Sequence, residues 1–142
     1  MAVFGLVIAC AGEGTPPQIY DPCDPLAVSG GDTATIASAS AMWNAVGVAE
    51  MGQSGGVSIP LVFESDAAPQ DYGLYAGSAI FMNSDLAEDQ RGVVLAHELG
   101  HAMGLVHVTN RPSVMNPGNL TIVPTAADFA AVVAVWGTCP VR

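Results

Sequence analysis

From Asp32 onward the apolar residues fall at helical intervals. In TATIASASAMWNAVGVAE, Ile36, Ala39, Met42, Trp43 and Val46 recur in steps of three and four. That spacing predicts a helix with Asp32 or Thr33 as N-cap and Gly47 near its end. QSGG then marks a turn. VSIPLVFES reads as a strand, and Pro60 within it suggests a sheet edge or a bulge. DAAPQDYG reads as a loop. LYAGSAIFMN reads as a second strand, placed at a sheet edge because it contains Gly77 and alternates imperfectly. A second helix begins in NSDLAEDQ, with Ser84 and Asp85 as cap candidates and acidic residues suited to the positive end of the helix dipole. It continues through RGVVLAHELGHAMG, where Val93, Val94, Ala96, Leu99 and Met103 are apolar and Gly104 suits a helix stop. In VPTAADFAAVVAVWG, Thr125 and Asp128 resemble a capping box, Phe129, Val132, Val133 and Trp136 share one side, and Gly137 ends the helix.

The order helix, strands, helix, loop, helix predicts an α+β domain over residues 32–142. Residues 11–31 are rich in Pro, Gly and Asp and read as a tether and irregular lead-in. Residues 1–10 are an apolar run too short to cross a bilayer as a helix.

Composition narrows the classes. The chain has 142 residues, 51% of them hydrophobic and 11% charged, which suits one folded domain with a real core and excludes a disordered chain. Thirteen Asp and Glu against three Arg and no Lys leave a net charge of −10. Nothing here could neutralise phosphates, so nucleic acid is excluded as a partner, and anionic lipid is disfavoured.

The three cysteines are Cys10, Cys23 and Cys139. Leu6-Val7-Ile8-Ala9-Cys10 resembles a bacterial lipobox or the end of a signal peptide, although no Lys or Arg precedes it. The same run also reads as a buried N-terminal strand. The lipobox resemblance implies lipidation at Cys10, a secreted or cell-envelope location, and a membrane contact made only through that anchor. If Cys10 is lipidated, Cys23 and Cys139 remain as an even pair near the ends of the domain, where a bridge would close a long loop.

All three histidines of the chain lie in HELGHAMGLVH, residues 97–107. On a helix, residues four apart face the same way, so His97 and His101 can reach one ion. Zinc suits neutral imidazole, and a catalytic zinc keeps a position open for water. Glu98, next to His97, can approach that position without ligating, as a general base toward the zinc-bound water. A third ligand must come from elsewhere. A turn at Gly104 would let the chain double back and present His107.

HELGHAMGLVH matches H-E-x-x-H-x-x-G-x-x-H and so resembles the metzincin zinc peptidases. SVMNP, with Met115 and with Pro117 two residues later, is most similar to the Met-turn of the matrixin branch. The resemblance implies a zincin catalytic domain with a small twisted sheet, an active-site helix and a C-terminal helix. It implies a monomeric zinc endopeptidase acting on proteins or peptides, with His97, His101 and His107 as ligands to one catalytic ion, Glu98 as base and Met115 beneath the site. By the same resemblance, Gly77, Ser78, Ala79 and Ile80 belong to an edge strand that pairs with substrate, and Pro117 lies beside the primed-side pocket. The second, histidine-rich zinc site of matrixins cannot be built here, because every His is committed. Calcium needs only oxygen ligands, but no cage can be assigned. Cys23 in YDPCDP has a second reading as a thiolate that caps the zinc, although it lacks the basic residue of the matrixin switch. Two other functions stay open: a non-peptidase zinc hydrolase, and a non-catalytic zinc-binding surface lipoprotein.

Overall fold

A computed structural model describes residues 18–65 and 72–140. The lipobox-like segment with Cys10, the start of the lead-in and most of the 66–73 loop lie outside these residues. In chain order the elements are β1 (Leu26–Ser29), α1 (Thr33–Val46), β2 (Val57–Glu64), β3 (Gly73–Tyr75), β4 (Ile80–Asn83), α2 (Glu88–Ala102) and α3 (Ala126–Trp136). The α+β expectation holds. The four strands form one mixed sheet in the order β1-β2-β4-β3, with β3 alone antiparallel.

Three strand expectations are corrected. Residues 26–29 belong to the sheet and not to an irregular lead-in. Four residues between Pro25 and Gly30 are too few to show a period, yet Leu26 and Val28 are buried and alternate with more exposed neighbours. LYAGSAIFMN is two strands and not one, because Gly77 adopts φ +87° and turns the chain between them. Consequently β4 lies inside the sheet, paired on one side with Leu61–Glu64 and on the other with Gly73–Tyr75. Pro60 sits in a central strand, where β2 leaves β1 and takes up β4 as partner. Its missing N–H falls at that changeover, so no long ladder is broken.

The helices follow from their caps. Asp32 accepts hydrogen bonds from the Thr35 backbone N–H at 3.1 Å and its hydroxyl at 2.8 Å, opening α1. Thr125 and Asp128 form the expected reciprocal box at α3. At α2 the cap is Ala87, with no side-chain bond, so Ser84 and Asp85 do not cap it; Glu88 and Asp89 supply the favourable first-turn charge.

Helix α2 is the centre of the molecule. It packs on β3, β4 and α1, and every residue from Gly92 to Ala102 is buried. Trp43 of α1 donates its indole N–H to the Ala96 carbonyl at 2.9 Å, and Trp136 of α3 donates to the Met103 carbonyl at 2.7 Å. Both large rings are thereby anchored to the helix that carries His97 and His101, one within it and one at its C-cap. None of the helices among the described residues is long and apolar enough to cross a membrane.

Candidate metal centre

His97 and His101 lie one turn apart on α2, with ring centroids 5.0 Å from each other. Each ring is turned by its Nδ1. His97 Nδ1 meets the Val114 carbonyl at 2.7 Å, and His101 Nδ1 meets the Leu105 carbonyl at 2.8 Å. A carbonyl only accepts, so both Nδ1 atoms carry the proton and both Nε2 atoms present a lone pair.

The turn that ends α2 performs two tasks. Gly104 takes φ +94°, its N–H bonds to the His101 carbonyl at 2.9 Å, and the Leu105 N–H bonds to the Gly100 carbonyl at 2.9 Å. This is a Schellman stop, which needs a residue tolerant of positive φ after the cap. It also delivers the Leu105 carbonyl that orients His101. Past the turn the chain doubles back as expected. His107 comes within 5.3 Å of His97 and 5.1 Å of His101, ring to ring. One ligand atom from each of the three lies within 4.8 Å of the others, a spacing that one ion can bridge.

The return segment is held by the loop beneath it. The Val108 N–H bonds to the Met115 carbonyl at 3.0 Å, and Asn116 Nδ2 donates to the Val108 carbonyl at 2.7 Å. Met115 itself is fully buried against Gly100. A Cβ at Gly100 would collide with the Met115 sulfur, so the helix needs glycine there for the loop to pass underneath.

Electrostatics favour metal over protons. Burial lowers His97 to about 4, opposed by its bond to Val114 and helped by nearby His107. Burial lowers His101 to about 3, with the His97 charge adding to the effect. Desolvation lowers His107 as well. Neutral imidazole is the ligating form. His101 Nε2 is buried without a hydrogen-bond partner, which leaves a desolvated lone pair aimed into the cluster. A bound cation satisfies it, and three imidazoles suit zinc.

Glu98 is 4% exposed, and its Oε2 lies 4.0 Å from His97 Nε2. Strand β3 runs close beside it: a Cβ on Gly73 would sit 3.1 Å from Glu98 Cγ and 3.3 Å from Oε2. The edge strand therefore passes the carboxylate with only glycine between.

Asp128, expected as a helix cap, reaches further. One oxygen accepts from Arg111 Nη1 at 2.9 Å and from the Ser113 hydroxyl; the other accepts from the Val114 N–H at 3.0 Å and the Thr125 N–H at 3.0 Å. Burial alone would raise its carboxyl, but the bonds from Ser113, Val114, Thr125 and Arg111 hold it below the usual carboxylate range. It ties α3 to the loop that carries Met115.

The expected edge strand is corrected. Gly77, Ser78 and Ala79 form the β3–β4 turn, closed by the Ala76 N–H on the Ala79 carbonyl. The Gly77 carbonyl accepts the hydroxyls of Tyr20 at 2.9 Å and Tyr75 at 3.1 Å. Ile80 is fully buried and paired on both sides. The sheet edge nearest the histidines is β3. Pro117 is exposed two residues beyond Met115. Cys23 joins Cys139, with Cα atoms 5.3 Å apart, so in this fold its sulfur is committed to a bridge rather than turned toward the histidines.

Residues missed from sequence include Gly100, Asn116, Asn119 and the second function of Asp128. Gly100 had a signal, since glycine inside a helix costs about 1 kcal/mol against Ala and calls for a packing reason. The others act across the loop and leave no local pattern.

No curated protein and no solved structure matches the chain. The family model for the peptidase M10 family, described as matrixin, matches residues 35–130, well over half of the 142. That span runs from α1 into α3 and takes in all three histidines, Glu98 and Met115; the chain belongs to the matrixin family of metallopeptidases.

Proposed function

We propose that the protein is a zinc-dependent endopeptidase in which Glu98 is the general base. The observation that carries this reading is the cluster of His97, His101 and His107 around a buried, unpartnered Nε2, with Glu98 alongside. His97, His101 and His107 would hold the ion, which when bound polarises a carbonyl and acidifies water.

The chain's own residues supply the rest. The backbone of β3 offers an edge to which an extended peptide can add as a further strand, by main-chain hydrogen bonding. Gly73 lets that edge lie against Glu98. A peptide seated there has its scissile bond beside the carboxylate. Glu98 then takes a proton from water and returns it to the leaving amine. No side chain is needed as a nucleophile. Pro117 and its neighbours would border the primed side. The Cys23–Cys139 bridge supports an exported location, since such bridges persist in oxidising compartments. Anchoring through Cys10 is part of the same proposal.

The test is cleavage of casein or a quenched peptide by zinc-loaded protein, by protein treated with chelator, and by Glu98→Gln. Cleavage should vanish with chelator. It should fall by roughly 10²–10⁴-fold in Glu98→Gln while zinc stays bound. Zinc bound at full occupancy with no cleavage of any unfolded protein would overturn the peptidase reading in favour of another zinc hydrolase.

A further inference from the structure

We infer that Asn119 is a positioning residue for the metal site, acting on His97 through the Val114 carbonyl. The inference rests on the zinc reading above.

The Val114 carbonyl accepts two donors: His97 Nδ1 at 2.7 Å and Asn119 Nδ2 at 3.2 Å. A carbonyl oxygen has two lone pairs, so the two bonds are compatible. Their joint effect is to fix the direction in which the oxygen points. The other end of the same peptide group is held as well, because the Met115 N–H donates to the Ser113 hydroxyl oxygen at 2.9 Å; a carbonyl held on its own side only by the histidine could still tilt with the ring. Held also by Asn119, it becomes a reference against which the ring is set. The N–H of the same residue is clamped as well, by Asp128 at 3.0 Å. Both peptide groups flanking Val114 are thus tied from outside the helix, and Val114 is fully buried.

The Asn119 amide is itself fully used. Its other Nδ2 proton goes to the Ile122 carbonyl at 2.7 Å, and its Oδ1 accepts from the Thr121 N–H at 3.1 Å and the Ile122 N–H at 2.8 Å. Two carbonyls on the nitrogen side and two N–H groups on the oxygen side fix which end of the amide is which. The side chain therefore folds 119–122 into a local turn, and that turn aims the remaining N–H at Val114. A residue that only shaped the loop would not need this bond.

Removing a direct partner of a ligating histidine typically costs about tenfold to a hundredfold in metal affinity; Asn119 acts one bond further out, on the carbonyl that is that partner, so the low end of that range is expected. The variant Asn119→Asp keeps an oxygen for Thr121 and Ile122 but puts a carboxylate oxygen where the Val114 carbonyl needs a donor. Zinc affinity is measured by chelator competition in the full chain, together with the Nδ1–H proton resonances of His97 and His101. The expected result is zinc bound up to about tenfold more weakly, with the His97 resonance moved and that of His101, which bonds to Leu105, unchanged. Affinity equal to the parent protein with an unmoved His97 resonance overturns the inference and leaves the zinc reading intact. A parent protein that takes up no zinc overturns both. Should the variant fail to fold, the parent protein decides: the Asn119 side-chain amide resonances should shift on zinc addition, and resonances that stay put refute the coupling.

Discussion

The histidines are held in two different ways. His97 and His101 are buried on a helix whose own periodicity brings them together. His107 is exposed on a return segment, and its neighbour Val108 is held by Met115 and Asn116. The helical pair is a product of local structure. The third ligand depends on loop contacts that span seven and eight residues, from Val108 to Met115 and Asn116. The first arrangement resists strain but is costly to protonate, while the second is more exposed, only partly desolvated, and only as well placed as the loop below it.

The largest expected effect separates the two by pH. His97 and His101 stay neutral in the fold to about 4 and about 3, whereas in the unfolded chain they charge near 6.5. Between those values the unfolded chain binds more protons, so the stability of the metal-free protein rises with pH in that window. It should be complete above 6.5 and fall by several kcal/mol toward pH 4, at about 1.4 kcal/mol for each tenfold difference in proton affinity between the unfolded and folded chain. Hydrogen bonds from Ser113, Val114, Thr125 and Arg111 hold Asp128 below the usual carboxylate range, so its own contribution to stability is lost only as pH falls below that range. Urea unfolding at a series of pH values measures the slope. His101→Gln should flatten it markedly and His107→Gln far less. Equal flattening by both would erase the distinction between a buried pair and a more exposed third ligand.

The next effect compares the braces. Asp128→Ala removes the acceptor for Ser113, Val114 and Thr125 together and leaves Arg111 without its carboxylate. Stranding buried donors and one member of an ion pair should cost about 3–5 kcal/mol. On the helix side, Trp43→Phe removes a single buried bond to Ala96 and should cost about 1–3 kcal/mol. Denaturant midpoints of the two variants give the comparison. A larger loss in Trp43→Phe would mean that the helical pair, and not the loop, is the more dependent on distant support.

The same division explains what could be read in advance. HELGH is legible because a helix places positions four apart on one face whatever surrounds it. Gly104 is legible because a stop before a third histidine has few other uses. The Thr125–Asp128 box is legible as a cap, since both partners lie within one turn. Its reach to Ser113 and Val114 is not, because nothing near Asp128 in sequence marks what lies across the fold. The strands fail for a related reason. LAVS covers only two periods of alternation, and GLY and IFMN show that they are separate only once Gly77 turns the chain. Which strand forms the edge is a property of the whole sheet and is invisible in any one segment.

The smallest effect tests the point where the two regions touch. Gly100 lies in the helix between the ligands, and Met115 lies under it in the loop. By helix propensity alone, Gly100→Ala should stabilise the protein by about 1 kcal/mol. Packing opposes this, because the added methyl meets the Met115 sulfur and then Trp43 Cζ2 at 3.6 Å. Overpacking a close-fitted core costs about 1–3 kcal/mol, so the net change should be a loss of up to about 2 kcal/mol. Met115→Ala alone opens a cavity and is also a loss. If the clash is the cause, the double variant is more stable than the sum of the single losses predicts, because the methyl then occupies space that the thioether has left. Additive losses would mean that helix and loop meet without constraining each other. The placement of His107 would then owe nothing to the glycine between His97 and His101.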